Sequence, residues 1–474
     1  MKFLAKPAGI TLLVIILVFL VLAVFIRTEW INAILFSKPE TGQEGGQSRV
    51  TMEKIRIWSD NAHEKALRLH QIEEFNNTVG REKGIEIEYV IYGSDYQDII
   101  KLAAQTGEAP ELFRPTNSFI TEFVNAGYLI PITELTGGGE FVSGYEGSFV
   151  NNQHIFDGKI YTLPYNITTY KFIINNDLFK KAGILEYPRT WEQVREAAGQ
   201  ITKAGDGKAF GFVLGLQSDW MISTYLIRAN GTNVGHTGFN HETMQFEFSA
   251  FAPVIEAVKG MIEDGSVFPG FEGLDADAAR AQFAEGRVGM IPGASFDTGV
   301  YNEQFPANCD WSVIAVPAFT RSGSPYKEFT DATSLLGVGT AALDKPEKTL
   351  EVLKFFYSDE NAAQMYEQSL YIPYRQEAID LAASEPAQKG FADFADVPDK
   401  VLMLPSPDIR VNVEGEAYRQ AISKIFTDAV SFREVKTVLE DLDRRYNEAL
   451  GRLPSQVLQE YGQTREVIDN FKRN

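Results

Sequence analysis

Residues 172–184 read Phe172-Ile173-Ile174-Asn175-Asn176-Asp177-Leu178-Phe179-Lys180-Lys181-Ala182-Gly183-Ile184, and Pro188-Arg189-Thr190-Trp191-Glu192 follows three residues later. Phe172, Ile173 and Ile174 form a strand. Asn175-Asn176-Asp177 leads into a helix carrying Leu178, Phe179 and Ala182, and Gly183 ends it. Thr190 then caps a second helix that opens at Trp191-Glu192. Here a strand-and-helix grammar starts afresh in mid-chain.

The same grammar runs ahead of it. Ile55 and Ile57 alternate with charged residues in a strand that ends at Trp58-Ser59-Asp60. A helix from Asn61 places Ala62, Ala66, Leu69, Ile72, Phe75 and Val79 at three- and four-residue spacing, with Gly80 as its stop. Ile85, Ile87, Tyr89 and Ile91 make a second strand. Asp95 caps a helix carrying Ile99, Ala103 and Ala104. Pro110 introduces a short strand through Leu112 and Phe113, and Ser118 caps a helix ending at Gly127. Alternation of this kind predicts an α/β protein, its sheets largely parallel with helices on both faces. Two such units join near Leu163-Pro164-Tyr165. The C-terminal third is expected to be mostly helical, over 350–366, 415–429 and 432–450. No fixed-period repeat occurs, which excludes solenoids and propellers. Ligands of open α/β sheets bind beyond the carboxyl ends of strands. The candidate tips are therefore Trp58-Ser59-Asp60-Asn61 and Arg114-Pro115-Thr116-Asn117.

The chain has 474 residues, with 44 Lys plus Arg against 64 Asp plus Glu, a formal net charge of −20. Such a surface repels phosphates, so nucleic acid is not an expected partner. Hydrophobic residues are 44% of the chain, enough for sizeable cores and against wholesale disorder. The single cysteine, Cys309, excludes an intrachain disulfide framework and a cysteine-cluster metal site. At the N-terminus, Lys2 and Lys6 precede an apolar run over 9–26 interrupted only by Thr11. That is about 18 residues, the lower end of a membrane-spanning length and longer than a usual signal-peptide core. The run is expected to be a transmembrane anchor or signal (1–27). It puts the N-terminus in the cytoplasm and the body outside, with Trp30 at the headgroup level. Residues 28–52, with Pro39, Gly42, Gly45, Gly46 and Ser48, form a flexible linker.

Phosphate-loop, metal and nucleophile signatures are missing, while 64 acidic residues neither show nor exclude the carboxylate pair of a glycosidase. Gly137-Gly138-Gly139 lacks a following Lys-Ser/Thr, and Gly337-Val338-Gly339 lacks a third spaced glycine, so neither phosphate-binding fingerprint is present. His63, His70, His154, His236 and His241 match no common metal-ligand spacing. Gly293-Ala294-Ser295-Phe296 lacks the closing glycine of a nucleophile elbow. Rings beside polar groups are more informative: Trp58-Ser59-Asp60, Asp219-Trp220 and Tyr165-Asn166 each couple a flat apolar face to a hydrogen-bonding group. Sugars need both, because their C–H faces stack on rings while their hydroxyls seek amides and carboxylates.

The stretch over 172–192 resembles the signature of the family 1 extracellular solute-binding proteins, the maltose-binding-protein-like receptors of carbohydrate ABC importers. Gly158-Lys159-Ile160-Tyr161-Thr162-Leu163-Pro164 is similar to the family's Gly-Lys-x-Tyr-x-x-Pro segment, and Ala109-Pro110-Glu111-Leu112 to its Pro-Asp-hydrophobic step. Phe283-Ala284-Glu285-Gly286-Arg287-Val288-Gly289-Met290 resembles its Phe-x-x-Gly-x-x-x-Met element. Leu353-Lys354-Phe355-Phe356 and Tyr371-Ile372-Pro373 follow in family order.

The resemblance implies a bilobal, type II periplasmic-binding-protein-like fold with a ligand cleft. The lobes would be 53–163 plus 317–371 and 164–316 plus 372–474. It implies a non-enzymatic receptor without cofactor or metal that captures a sugar or oligosaccharide and delivers it to ABC permease subunits by lobe closure. A ligand sensor for a membrane signalling partner is the alternative. By position, the expected ligand contacts are Trp58, Asp60 and Asn117 from the first lobe and Tyr165 near the hinge. Asp219, Trp220 and Phe296 would come from the second lobe, with Asp331 and Arg375 at the cleft edge. Most Gram-positive members carry a lipid-modified cysteine after the signal. This chain has no cysteine before Cys309, which leaves the 9–26 helix as the expected tether.

Overall fold

The larger sheets of the chain each include strands far apart in sequence. The computed structural model describes residues 51–116, 119–146, 148–428, 434–463 and 465–473. The expected anchor over 9–26 and the linker up to residue 50 lie outside them, as does Asn117. Among the described residues no helix is long and apolar enough to cross a membrane. Met52–Asn474 forms one compact unit.

The first lobe is a five-stranded sheet in the order Ile85–Ile91, Glu53–Ser59, Leu112–Phe113, Gly337–Gly339, Leu129–Ile130. Its first three strands are parallel, and Gly337–Gly339 runs antiparallel to both neighbours. Ile55, Ile57, Leu112, Val338, Leu353 and Phe356 meet in its core. The expected helix after Asn61 is a short 3-10 turn, Ala62–Glu64, followed by Lys65–Asn77 and a separate turn of helix over Val79–Lys83. The break falls at Thr78, and Gly80 lies within the second piece. A Cβ on Gly80 would stand 2.6 Å from the Ile85 carbonyl oxygen, so this glycine permits close packing rather than ending a helix. The left-handed terminator is Gly84, at φ 67°.

The second lobe is a four-stranded sheet in the order Trp311–Ile314, Tyr170–Asn175, Val288–Ala294, Phe210–Phe212. Tyr170–Asn175 is antiparallel to both its neighbours, and only the last pair is parallel. This corrects the expectation of largely parallel sheets. A helical crossover forces parallel pairing only on the strands it joins, and Tyr170–Asn175 pairs with strands more than a hundred residues downstream. Locally the opening stretch folds as read: Asn175 Oδ1 accepts from the Leu178 amide at 3.1 Å, and the Thr190 hydroxyl accepts from the Gln193 amide at 3.2 Å. Gln193 returns the bond to Thr190, closing a capping box. Trp191 is 2% exposed, stands edge-on to Phe172 at 5.2 Å, and donates its indole N–H to Asn230 at 2.8 Å.

A third sheet carries the crossings between lobes: Ile372–Pro373, Pro164–Thr168, Glu328–Ser334, Lys400–Leu402. Asp331 pairs with Thr168 and Thr333 with Asn166, with a register shift at Thr333/Ser334. Residues 317–327, expected in the first lobe, bond to the second instead. Pro317 accepts from Asn233 at 3.1 Å, Ala318 bridges Thr190, and the Tyr326 amide donates to Thr232. The expected helix over 350–366 is two helices, Pro346–Phe356 and Asp359–Glu367, because Ser358 caps a new start by accepting from the Asn361 amide. Tyr418–Thr427 and Val435–Leu450 supply the late helices.

Candidate functional site

Where the crossing sheet meets the second lobe, a cavity of about 670 Å³ opens. The crossing sheet contributes Thr168 and Asp331, and Tyr170 opens the adjoining strand Tyr170–Asn175. The first lobe contributes Ile120 and Thr121, from the first turn of Ile120–Asn125. Phe296 comes one residue past the fully buried strand Val288–Ala294, after Ser295, so its ring, 50% exposed, projects from a rigid edge. Trp220 precedes the wide helical segment Ile222–Arg228, which ends on Arg228.

The polar centre is Asp331. Its Oδ2 accepts from the Tyr170 hydroxyl at 2.7 Å and lies 3.1 Å from Arg228 Nη1. Burial pushes the Tyr170 phenol well above its ordinary pKa and the neighbouring carboxylate adds to this, so Tyr170 remains a protonated donor. Burial works against the Arg228 charge, yet Asp331 and Tyr170 outweigh it and raise its pKa. Acceptor, phenol and guanidinium are thus held together in fixed directions at the crossing. Further along, Arg410 lies 3.8 Å from Glu460, and Tyr418 and Phe248 stack at 4.8 Å and 21°. All four line the same cavity.

Of the expected contacts, the structure brings Trp220, Phe296 and Asp331 together on this cavity. Trp58 and Asp60 stay at the tip of the first-lobe sheet, outside its lining. Trp58 packs edge-on to Tyr92 at 5.1 Å, and Asp60 pairs with Arg114 at 2.6 Å. Asn117 lies outside the described residues. Tyr165 is 6% exposed and turned into the first-lobe core, where its hydroxyl accepts from Arg68 at 3.3 Å. A side chain on an alternating strand faces one side only, and Tyr165 takes the interior one. Asp219 faces Arg419 at 3.8 Å on the surface. Arg375 grips Asp359 with two nitrogens, at 2.8 and 3.3 Å, and borders a different cavity of about 450 Å³. Tyr170, Arg228, Tyr418 and Glu460 went unread in the sequence. Tyr170 sits two residues ahead of the decisive stretch and was legible as its neighbour; no local pattern marks the other three. Among the described residues no three His, Cys, Asp or Glu side chains converge on a metal position.

Comparison with known proteins gives this geometry its context. The sequence profile of the bacterial extracellular solute-binding proteins matches residues 65–363, more than half the chain. A binding protein of Brucella abortus is 25% identical over 272 residues, 55% of this chain and 61% of that protein. The sn-glycerol-3-phosphate-binding periplasmic protein of Brucella melitensis is 24% identical over 277 residues, 56% of this chain and 60% of that protein. The matches thus span about three fifths of the length of these relatives. In fold, the chain is similar to the cyclic alpha-maltosyl-1,6-maltose binding protein of Arthrobacter globiformis, with a TM-score of 0.64 at 14% identity, covering 84% of this chain and 99% of that one. That profile covers more than half of the sequence, and the chain belongs to the bacterial extracellular solute-binding proteins.

Proposed function

We propose that the cavity captures a sugar or short oligosaccharide and that closure of the lobes around it presents the loaded form to the permease of an ABC importer. The observation that carries this reading is the combination of an exposed ring, a half-buried ring and fixed hydrogen-bonding groups on one cavity. Trp220 and Phe296 offer flat apolar faces, while Asp331 and Arg228 offer an oriented acceptor and donor. At about 670 Å³ the cavity falls in the range of roughly 300–1,000 Å³ typical of small-ligand sites. Its charges argue against a phosphoester such as the Brucella melitensis relative's ligand. Arg228 and Arg410 each already face a carboxylate, and Asp331, Asp408 and Glu460 outnumber them. A dianion entering here meets net repulsion, whereas a neutral polyol does not. The fold likeness to a maltosyl-maltose binder adds support of the same kind.

Titration of the full-length protein with maltotriose, xylotriose, triacetylchitotriose and sn-glycerol 3-phosphate, read by calorimetry and melting temperature, tests it. A trisaccharide is expected to bind and stabilise the protein by about 2.7 kcal/mol at a hundredfold excess over Kd. Silence from all three sugars together with binding of the phosphoester would overturn the reading. The 9–26 run, proposed as the tether holding the body at the outer face, is tested by N-terminal sequencing of the membrane fraction: a mature N-terminus beyond residue 26 would exclude an anchor.

A further inference from the structure

Behind the half-buried Trp220 ring and the exposed Phe296 ring lies a cation that no sequence motif marks. Arg280, on the helix Ala276–Ala284, is 9% exposed and is not itself a wall of the cavity. Its guanidinium carbon lies 5.5 Å from the Trp220 ring centre and 5.7 Å from that of Phe296, so one cation serves both rings. The guanidinium is held from its other edge. One nitrogen is 2.7 Å from Asp297 Oδ1, and another donates to Asp277 at 3.0 Å. Asp297 is 1% exposed and fixed in turn: its Oδ2 accepts from the Ala294 amide at 2.7 Å and from the Tyr225 hydroxyl at 2.9 Å. Tyr225 returns to the start, its ring 5.7 Å from Trp220. Trp220, Tyr225, Asp297 and Arg280 thus close a ring of contacts, with Phe296 attached to it through the same guanidinium.

We propose that Arg280 is a positioning residue that joins Trp220 and Phe296 into one preorganised two-ring platform for ligand stacking. An ordinary structural ion pair would not explain the arrangement, because Phe296 remains 50% exposed over its cation. A half-exposed ring on a free hinge of torsions would lose entropy on stacking against a ligand; a ring already held by a cation loses less. The stacking role rests on the sugar reading above, whereas the positioning of the rings does not.

Arg280→Met alone leaves a buried carboxylate without its partner and can fail to fold. Arg280→Met with Asp297→Asn removes both charges, and Arg280→Lys keeps the cation. Trp220 emission is isolated by subtracting Trp220→Phe in each background. In the ligand-free double variant, acrylamide quenching of Trp220 is expected to rise at least twofold. Arg280→Lys should recover part of the protection, and quenching of the other four tryptophans, read in the Trp220→Phe variants, should not change. Whichever trisaccharide binds the natural protein should bind the double variant at least fivefold more weakly. Unchanged Trp220 quenching in a folded double variant would overturn the proposal, as would undiminished trisaccharide affinity. If quenching changes as expected while the natural protein binds none of the three sugars, the positioning role stands and the sugar reading fails.

Discussion

The Arg68 guanidinium donates to the Tyr371 hydroxyl at 3.0 Å, across 303 residues of chain. The same nitrogen reaches Glu64 at 3.0 Å and Tyr165 at 3.3 Å, and its neighbour reaches Gln71 at 3.0 Å. Tyr165 lies in the crossing strand Pro164–Thr168 and Tyr371 immediately precedes Ile372–Pro373. One fully buried cation therefore ties two crossings to the helix Lys65–Asn77. Arg68→Met strands the Glu64 carboxylate in the interior and should destabilise the protein by about 3–5 kcal/mol. Urea denaturation measures this, and adding Glu64→Gln should restore part of the loss. A single variant as stable as the natural protein would refute the account.

Asp331 is a third exposed and holds both Tyr170 and Arg228 at the cavity. Asp331→Ala should weaken binding of the active trisaccharide at least tenfold, or about 1.4 kcal/mol. The stability cost should be small, on the order of 1 kcal/mol for one lost acceptor. Calorimetric titration beside a thermal melt separates the two effects. A large melting shift with unchanged affinity would make Asp331 a structural residue only.

A Cβ on Gly211 would stand 2.2 Å from Ala198 Cα and 2.3 Å from its carbonyl oxygen. Both are backbone atoms of the helix Trp191–Gly205 against the strand Phe210–Phe212, so neither can swing aside. Gly211→Ala should cost about 3 kcal/mol or more. Soluble yield and melting temperature report it, and a variant within a degree of the natural protein would contradict the packing.

Burial pushes the His154 imidazole down to about 3 and that of His241 down to about 4. Both groups titrate near 6.5 when unfolded, so between those values the unfolded chain binds more protons and stability falls as pH falls. At pH 5 each contributes a loss of roughly 2 kcal/mol relative to neutral pH. Melting temperature should therefore decline from pH 7 to 5, above the window in which carboxylates such as Glu111, held low against burial by Lys345 and the Arg56 amide, begin to protonate. His154→Asn with His241→Gln should remove most of that decline and leave a remainder from His236, which burial also pushes down to about 4. A natural protein whose melting temperature is level over this range would rule the linkage out.

Period and punctuation were enough to read the α/β class, the restart near residue 170 and the caps at Asn175 and Thr190, because each depends on residues within a few positions of one another. Parallel or antiparallel pairing in the second sheet was beyond such reading. Val288–Ala294 and Trp311–Ile314 arrive beside Tyr170–Asn175 from far along the chain, and nothing local sets their direction. The break at Ser358 was locally visible as a capping residue, but the apolar periodicity on either side concealed it.

For the site, the sequence by itself determined the chemistry: rings beside acids and amides, without metal clusters, phosphate loops or nucleophile elbows. Only the tertiary structure decided which of them share a cavity. Trp58 and Trp220 look alike as ring-plus-carboxylate neighbours, yet Trp220 reaches the cavity and Trp58 packs against Tyr92. Tyr165 and Tyr170 stand five residues apart, but one faces Arg68 in the core and the other Asp331 at the crossing. Their fates depend on the twist and register of the crossing sheet, set by partners more than 150 residues away, and no local pattern encodes that.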